Sequence, residues 1–404
     1  MKAKITLLAL MLFSLNSFSQ WQITNGPFGA GLISSLAIKD TTIFAGTVTG
    51  GVFVSTDKGI NWTARNNGLT NLGNIISLVV NNTDVFAGVF QSGNNAVFST
   101  NDNAANWTAK GLPFLYLFSL AVKPSFLIAG TWYGVSFSTN NGSSWSGSIA
   151  GLPSTASVSA LAFEGTKIFC SVSGSSSGGT GVFLSNNNGV NWTSFNTGLT
   201  TTTITKLAVI GSNIFAGRDA GGLFISNTTT SGWTAIDAGL TNNVIKSLCV
   251  VGTNLFVGTS NGIFLTMNNG TTWTDVSVGL PANANIYSIT SNDTDIYIGA
   301  DTTVWRRSLA EMGVTGISES ISKKDILKIY PNPFNYFTTI QFSSLMKNAE
   351  FVIYNVYGQL IKTINNISGD KIILYKESIS SGLYFYEVKQ DNGNIATGKL
   401  VITN

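Results

Sequence analysis

The sequence contains no histidine, two cysteines and seven prolines, and charged side chains make up 10% of its 404 residues. Without an imidazole there is no Ser-His-Asp triad, no His-ligated metal and no side chain that titrates near neutral pH unperturbed. Two cysteines far apart in the chain, Cys170 and Cys249, do not assemble a zinc site, so no metal and no cofactor is expected. A net charge of +3 with no basic stripe leaves no electrostatic footprint for nucleic acid. Long apolar runs are also lacking. The apolar stretch at residues 5–13, behind Lys2 and Lys4, is too short to anchor in a bilayer and has the form of a signal-peptide core. Small residues at Ser17 and Ser19 place the expected cleavage between Ser19 and Gln20, which makes residues 1–19 a signal peptide and leaves an exported mature chain without a transmembrane segment.

What the chain has in quantity is glycine, 43 residues of it, together with Asn, Ser and Thr, a composition that suits turn-rich sheets. A tryptophan returns about every 40 residues, at Trp62, Trp107, Trp145, Trp192, Trp233 and Trp273, each closing a short polar turn. Two short apolar runs precede each turn. The first reads Ser35-Leu36-Ala37-Ile38, Ser77-Leu78-Val79-Val80, Ser119-Leu120-Ala121-Val122, Leu161-Ala162-Phe163, Leu207-Ala208-Val209, Ser247-Leu248-Cys249-Val250 and Ser288-Ile289-Thr290. The second runs from Ile43-Phe44-Ala45-Gly46 to Ile296-Tyr297-Ile298-Gly299. These are β-branched and aromatic segments bounded by turn residues, with no helical period between them, and four such strands per unit make a β-propeller blade.

The seventh unit keeps three strands, through Thr303-Val304-Trp305-Arg306, and then loses the pattern. One period before Trp62, residues 21–27 have the form of a fourth strand with no three before it. Supplying that strand to the seventh blade closes a ring and removes two exposed sheet edges. The expected fold class is all-β: a seven-bladed β-propeller over residues 20–312 closed by an N-terminal strand, a linker at 313–324, and a small C-terminal β-sandwich at 325–404. Cys170 stands in the column of Ala45, Ala87, Ala129 and Ala216, and Cys249 in that of Ala37 and Ala121, so both are read as buried structural residues in blades that do not touch.

The turn Ser55-Thr56-Asp57-Lys58-Gly59-Ile60-Asn61-Trp62 resembles the Asp-box, or bacterial neuraminidase repeat, of sialidases, sortilin-type receptors, xyloglucan hydrolases and photosystem assembly propellers. Ser55, Asp57, Gly59 and Trp62 carry the pattern: the carboxylate accepts turn N–H groups, glycine takes the positive-φ position, and the indole packs over the hairpin. The copies ending at Trp145, Trp192 and Trp273 hold Asn in place of Asp. The copy from Ser99 to Trp107 is read with one extra residue, and that from Ser226 to Trp233 lacks both Asp and Gly. The resemblance implies a hairpin staple joining third and fourth strands, on the face opposite the usual ligand site.

After residue 324 the tryptophan repeat is gone. The landmarks become Tyr330-Pro331-Asn332-Pro333-Phe334, Val352 to Gly358, Ser381-Gly382-Leu383-Tyr384 and Gly398-Lys399-Leu400-Val401-Ile402. In order and spacing these closely resemble the type A sorting domain of the Bacteroidetes type IX secretion system. The resemblance implies Sec export, recognition by an outer-membrane translocon, removal by a surface sortase, and a secreted or surface-attached product. An immunoglobulin-like adhesion module is the other reading of such a β pattern, and the Pro-Asn-Pro opening and the Gly-Lys-Leu-Val-Ile ending favour sorting.

Chemistry on the ring is restricted. Sialidases need three arginines around a carboxylate, whereas this propeller has only Arg65, Arg218, Arg306 and Arg307 and lacks the family's Phe-Arg-Ile-Pro motif. Other glycoside hydrolases need two carboxylates, and Asp219 and Asp301 are the candidates in loops of the expected ligand face. Aspartates in Gly-rich loops are also turn formers. On the same face Phe90, Phe114, Tyr116, Trp132 and Tyr133 gather in the loops of blades 2 and 3, and with Arg218 they are the ligand-binding candidates. Mutual packing over the channel is the alternative use of these rings. The expectation is an extracellular binding or scaffold module for a glycan or protein, with a polysaccharide hydrolase as the alternative.

Overall fold

The computed structural model describes residues 20–403 except 71, 82, 91–95, 113–115, 124–125, 155, 174–179, 201–202, 315–326, 356–358 and 391–392. The signal-peptide assignment, most of the linker, Phe114 and Gly358 lie outside the described residues. The chain divides into two compact units, Met1–Gly316 and Ile317–Asn404.

In the first unit seven antiparallel four-stranded sheets follow one another in chain order. Blades 1 to 6 span residues 33–64, 75–109, 117–148, 157–194, 206–235 and 245–275. Blade 7 covers 286–308 and takes its fourth strand from Gln22–Ile23, with Gln22 opposite Arg306 and Ile23 opposite Trp305. The seven-bladed ring is thus closed by the N-terminal strand.

The second strand of each blade is covered on both faces and reads as a continuous apolar run; Thr42–Thr47 is buried at every position. Phe44, Phe86, Phe169, Phe215, Phe256 and Tyr297 occupy one column of it and are fully buried. The glycine column exists because blades converge there. A Cβ on Gly46 would lie 2.4 Å from Ser35 Oγ and 2.5 Å from Ile75 Cγ2, and Gly258 and Gly299 meet the same obstacles in their own blades. The serine heading the first strand follows a bulge and donates to the next blade: Ser35 to the Ile75 carbonyl at 2.9 Å, Ser247 to Ile286 at 2.7 Å. Across the ring junction Ser288 donates to the Ile33 carbonyl at 3.1 Å. Ser-on-bulge and Gly-opposite therefore form one inter-blade clasp. Cys170 is fully buried and Cys249 half-buried, both are free thiols, and burial pushes both up, Cys249 to about 12.

In the second unit two long strands, Phe337–Asn355 and Leu360–Tyr375, pair along their lengths through several register shifts. One end of this ribbon pairs with Leu327–Tyr330, the other with Gly382–Gln390, which in turn pairs with Gly393–Ile402. The expected sandwich is accordingly one curled five-stranded sheet closed over a core that includes Phe351, Ile340, Ile353, Val388 and Leu400.

Candidate functional site

The polar turns show how local chemistry becomes a fixed geometry. Asp57 Oδ1 accepts from Ser55 Oγ at 2.8 Å and from the Asn61 backbone N–H at 2.9 Å, while the Gly59 N–H donates to Ser55 Oγ at 2.8 Å. The Asn61 N–H and amide group, then Ser55, hold the Asp57 carboxyl below its ordinary range. Asn140, Asn187 and Asn268 repeat the accepting bonds in blades 3, 4 and 6. Blade 2 corrects the extra-residue reading of Ser99 to Trp107. Thr100 takes the first hydroxyl position, Asp102 accepts from it at 2.6 Å and from Asn106 N–H at 3.0 Å, and Ala104 fills the glycine seat at φ 63°. No residue is inserted; the frame starts one residue later, and Ala masked it. In blade 5 only the bond from Gly232 N–H to Ser226 Oγ survives.

The tryptophans reach beyond their own hairpins. Trp107 Nε1 donates to Arg65 O at 2.8 Å, Trp145 to Lys110 O at 2.7 Å, Trp233 to Phe195 O at 2.7 Å and Trp273 to Ile236 O at 2.8 Å, each a residue at the end of the preceding blade. Trp192 donates to Gly189 of its own turn and Trp62 to Thr24 Oγ1 at 3.4 Å.

The opposite face is formed by loops joining second to third strands and by the connections into each next blade. Phe90, Tyr116 and Trp132 meet there: Phe90 and Tyr116 ring centroids are 5.4 Å apart, Tyr116 and Trp132 6.0 Å. Phe118 joins them, 5.7 Å from Phe90 and 5.8 Å from Trp132. The rings pack on one another yet stay accessible, Phe90 at 37%, Tyr116 at 41% and Trp132 at 48% exposure, with Tyr133 at 59% beside them. Phe118 was not legible as a site residue because it lies inside the first strand of blade 3, where apolar residues are the rule.

Arg218 folds back over its own loop, donating from Nη1 to Gly221 O at 3.1 Å and from Nη2 to Thr203 Oγ1 at 3.3 Å. Asp219 pairs with Lys246 at 2.8 Å. Asp301 sits at φ 49° and accepts from Asn285 Nδ2 at 3.2 Å, while its carbonyl accepts from Ile33 N–H at 2.9 Å across the ring junction. Each candidate carboxylate thus has a local partner of its own. Among the described residues no group of three or more Cys, Asp or Glu is arranged to hold a metal, and no helix is long and apolar enough to cross a membrane.

In the second unit the opening and closing motifs are one structure. Asn332 Oδ1 accepts from Val401 N–H at 2.8 Å and its Nδ2 donates to Lys399 O at 3.1 Å, so the side chain between Pro331 and Pro333 clamps the last strand. Phe334 and Thr403 continue the pairing. Gly398 is required because a Cβ there would lie 2.4 Å from the Tyr386 hydroxyl, whose ring stacks on Phe351 at 5.1 Å. Gly382 opens the strand that pairs with this terminal segment.

Residues 328–403 match the family described as the secretion system C-terminal sorting domain. No curated protein matches the chain. Among solved structures, the chain is similar to YCF48 from Cyanidioschyzon merolae at TM-score 0.55 and 14% identity, over 72% of this chain and 98% of that one. It is similar to PorZ, a surface component of the type IX secretion system of Porphyromonas gingivalis, at TM-score 0.54 and 15% identity, over 91% of this chain and 59% of that one. The GH74 xyloglucanase of Xanthomonas campestris gives TM-score 0.56 and 15% identity over 72% of this chain and 54% of the enzyme. At these identities the likeness establishes the propeller fold and nothing of the neighbours' activities. The sorting tail directs type IX export, to the cell surface or the medium, and implies contact with that machinery. Ring and tail together identify the chain as a seven-bladed β-propeller joined to a secretion-system C-terminal sorting domain.

Proposed function

We propose that the propeller is a ligand-binding module delivered outside the cell, and that the aromatic group of blades 2 and 3 is its recognition surface. One observation carries this: Phe90, Tyr116 and Trp132, from two blades, form a continuous exposed ring cluster on the face opposite the structural turns. Aromatic faces left in water cost solvation and are rewarded when a sugar ring or an apolar side chain covers them. Nothing in the blade geometry requires a ring at Phe90 or Tyr116: the position of Phe90 holds Val48, Ser173, Asp219, Ser260 and Asp301 in other blades, and that of Tyr116 holds Leu32, Asn74, Ser157, Thr203, Val244 and Asn285. Export begins at the N-terminal signal segment, and a surface sortase removes the tail.

A polysaccharide hydrolase built on Asp219 and Asp301 is the competing function. The bonds of Asp219 to Lys246 and of Asp301 to Asn285 support structural duties for both. Screening the mature chain on plant, algal and bacterial polysaccharides, with retention and released reducing ends both measured, separates the two. Retention without release is the expected result. Release that stops in Asp219→Asn and in Asp301→Asn overturns it.

A further inference from the structure

In blades 1, 2, 3, 6 and 7 a serine after the bulge of the first strand clasps the next blade, and in blade 4 the same position holds Ala160. In blade 5 that register position holds Lys206, opposite Gly217 as Ser35 is opposite Gly46. The clasp to blade 6 is lost at this point. A structural column has given up its structural residue for a cation.

Lys206 lines a channel space of about 180 Å³, together with Ser77, Phe118, Ser159 and Thr205 from the inner strands of blades 2 to 5. These strands begin at the aromatic face, so the space opens towards it, and Phe118 belongs to both the space and the ring cluster. Among the described residues no acid lines the space, and Lys206 makes no hydrogen bond or ion pair. Asp219, the acid that acts on it, is already paired with Lys246. Beside Lys206, the Thr205 hydroxyl is buried with no partner. Desolvation by the channel wall lowers the Lys206 ammonium from the ordinary lysine range, Asp219 opposing and Lys246 adding to the effect. A half-buried cation beside an orphan hydroxyl is destabilising until an anion supplies the missing charge and acceptor.

We propose that the channel mouth binds an acidic glycan, with the carboxylate of one uronic-acid unit held by Lys206 and Thr205 and neighbouring sugars stacked on Phe118, Trp132, Tyr116 and Phe90. This rests on the aromatic face being the recognition surface and adds the charge and class of the ligand. The space has room for a single saccharide ring, its wall sets Lys206 and the free Thr205 hydroxyl among aliphatic side chains and serines bonded within the protein, and the exposed rings continue from its lip, which together fit a chain of sugars with one charged contact.

The test is calorimetric titration of the mature chain with polygalacturonate, its methyl ester and a sulfated glycan. Polygalacturonate is expected to bind at least ten-fold tighter than either. Lys206→Gln should lose that preference while leaving weak binding to the ester intact, Lys206→Arg should retain it, and Trp132→Ala should weaken both ligands. Thermal unfolding of each variant confirms that it folds. Equal affinity for acid and ester overturns the carboxylate site while leaving the recognition face standing. Equal affinity for the sulfated glycan, an unchanged preference in Lys206→Gln, or binding of a free peptide carboxy-terminus in place of every glycan overturns it as well. Loss of every ligand in Lys206→Gln but none in Trp132→Ala would instead remove the aromatic recognition surface.

Discussion

Trp21 donates its indole N–H to the carbonyl of Val276 at 2.7 Å, a bond between residues 255 positions apart. It is the same bond that Trp107, Trp145, Trp233 and Trp273 make to the blade before them, so Trp21 is the box tryptophan of blade 7 delivered from the other end of the chain. Its backbone N–H donates to Val278 O at 3.1 Å, and its ring is buried among Phe256, Ile263, Ile286 and Ile298.

Trp21→Ala should therefore cost about 3–5 kcal/mol, the usual range for removing a buried large aromatic. Denaturant unfolding followed by fluorescence checks this. Trp62→Ala, whose ring is only half-buried and whose bond is 3.4 Å long, should cost less.

Ala104 occupies the left-handed seat that glycine holds in the turns of blades 1, 3, 4 and 6. An L residue there is strained by about 1–2 kcal/mol, but glycine's greater unfolded-state freedom and loss of the buried Ala104 methyl offset that, so Ala104→Gly should leave stability within about 1 kcal/mol of the wild type. The reverse change, Gly59→Ala, should destabilise, because its Cβ would meet Thr24 Cγ2 at 2.6 Å with φ at 89°. The melting temperature should fall clearly in Gly59→Ala and move little in Ala104→Gly.

Hydrogen bonds from Thr100, then Asn106, lower the Asp102 carboxyl to about 2. A depressed acid contributes stability that is complete above its ordinary value and is lost as pH falls through its folded one, here between about pH 4 and pH 2. Asp102→Asn should keep the turn, as Asn140, Asn187 and Asn268 do, and flatten that part of the acid limb. Melting curves across the window would show a shallower slope in the variant.

The ring was readable because its constraints are local and repeat. Trp, Gly and the Phe-Ala-Gly strands recur at fixed spacing, and the unpaired strand at Trp21 announced the closure. What stayed hidden arises where a residue serves two purposes or breaks a column. Phe118 looked like one more apolar strand residue until folding placed it between Phe90 and Trp132. Lys206 fell out of the alignment because it is not serine, and only the strand register shows that it stands in the serine's place. The turn of blade 2 was misframed because Ala104 replaces glycine. The indole bonds between blades were invisible because no local pattern names a carbonyl in the preceding blade.

The tail prediction follows from the clamp of Asn332 on the last strand. Truncation after Gly316, which keeps the buried Val314 with the ring, should leave a folded propeller in the periplasm of a type IX-competent host. Asn332→Ala should reduce export by loosening the joined motifs. Fractionation and immunoblotting read both, and equal extracellular yields of the truncated and full chains would contradict the sorting role.

Recognition by the aromatic face is tested most directly by comparing wild type with Trp132→Ala/Tyr116→Ala on a glycan and extracellular-protein array. Loss of both rings should remove about 1–3 kcal/mol per ring and abolish retention on every ligand that the wild type holds, with an unchanged melting curve. A double variant that folds and binds as the wild type does would contradict the assignment of this face.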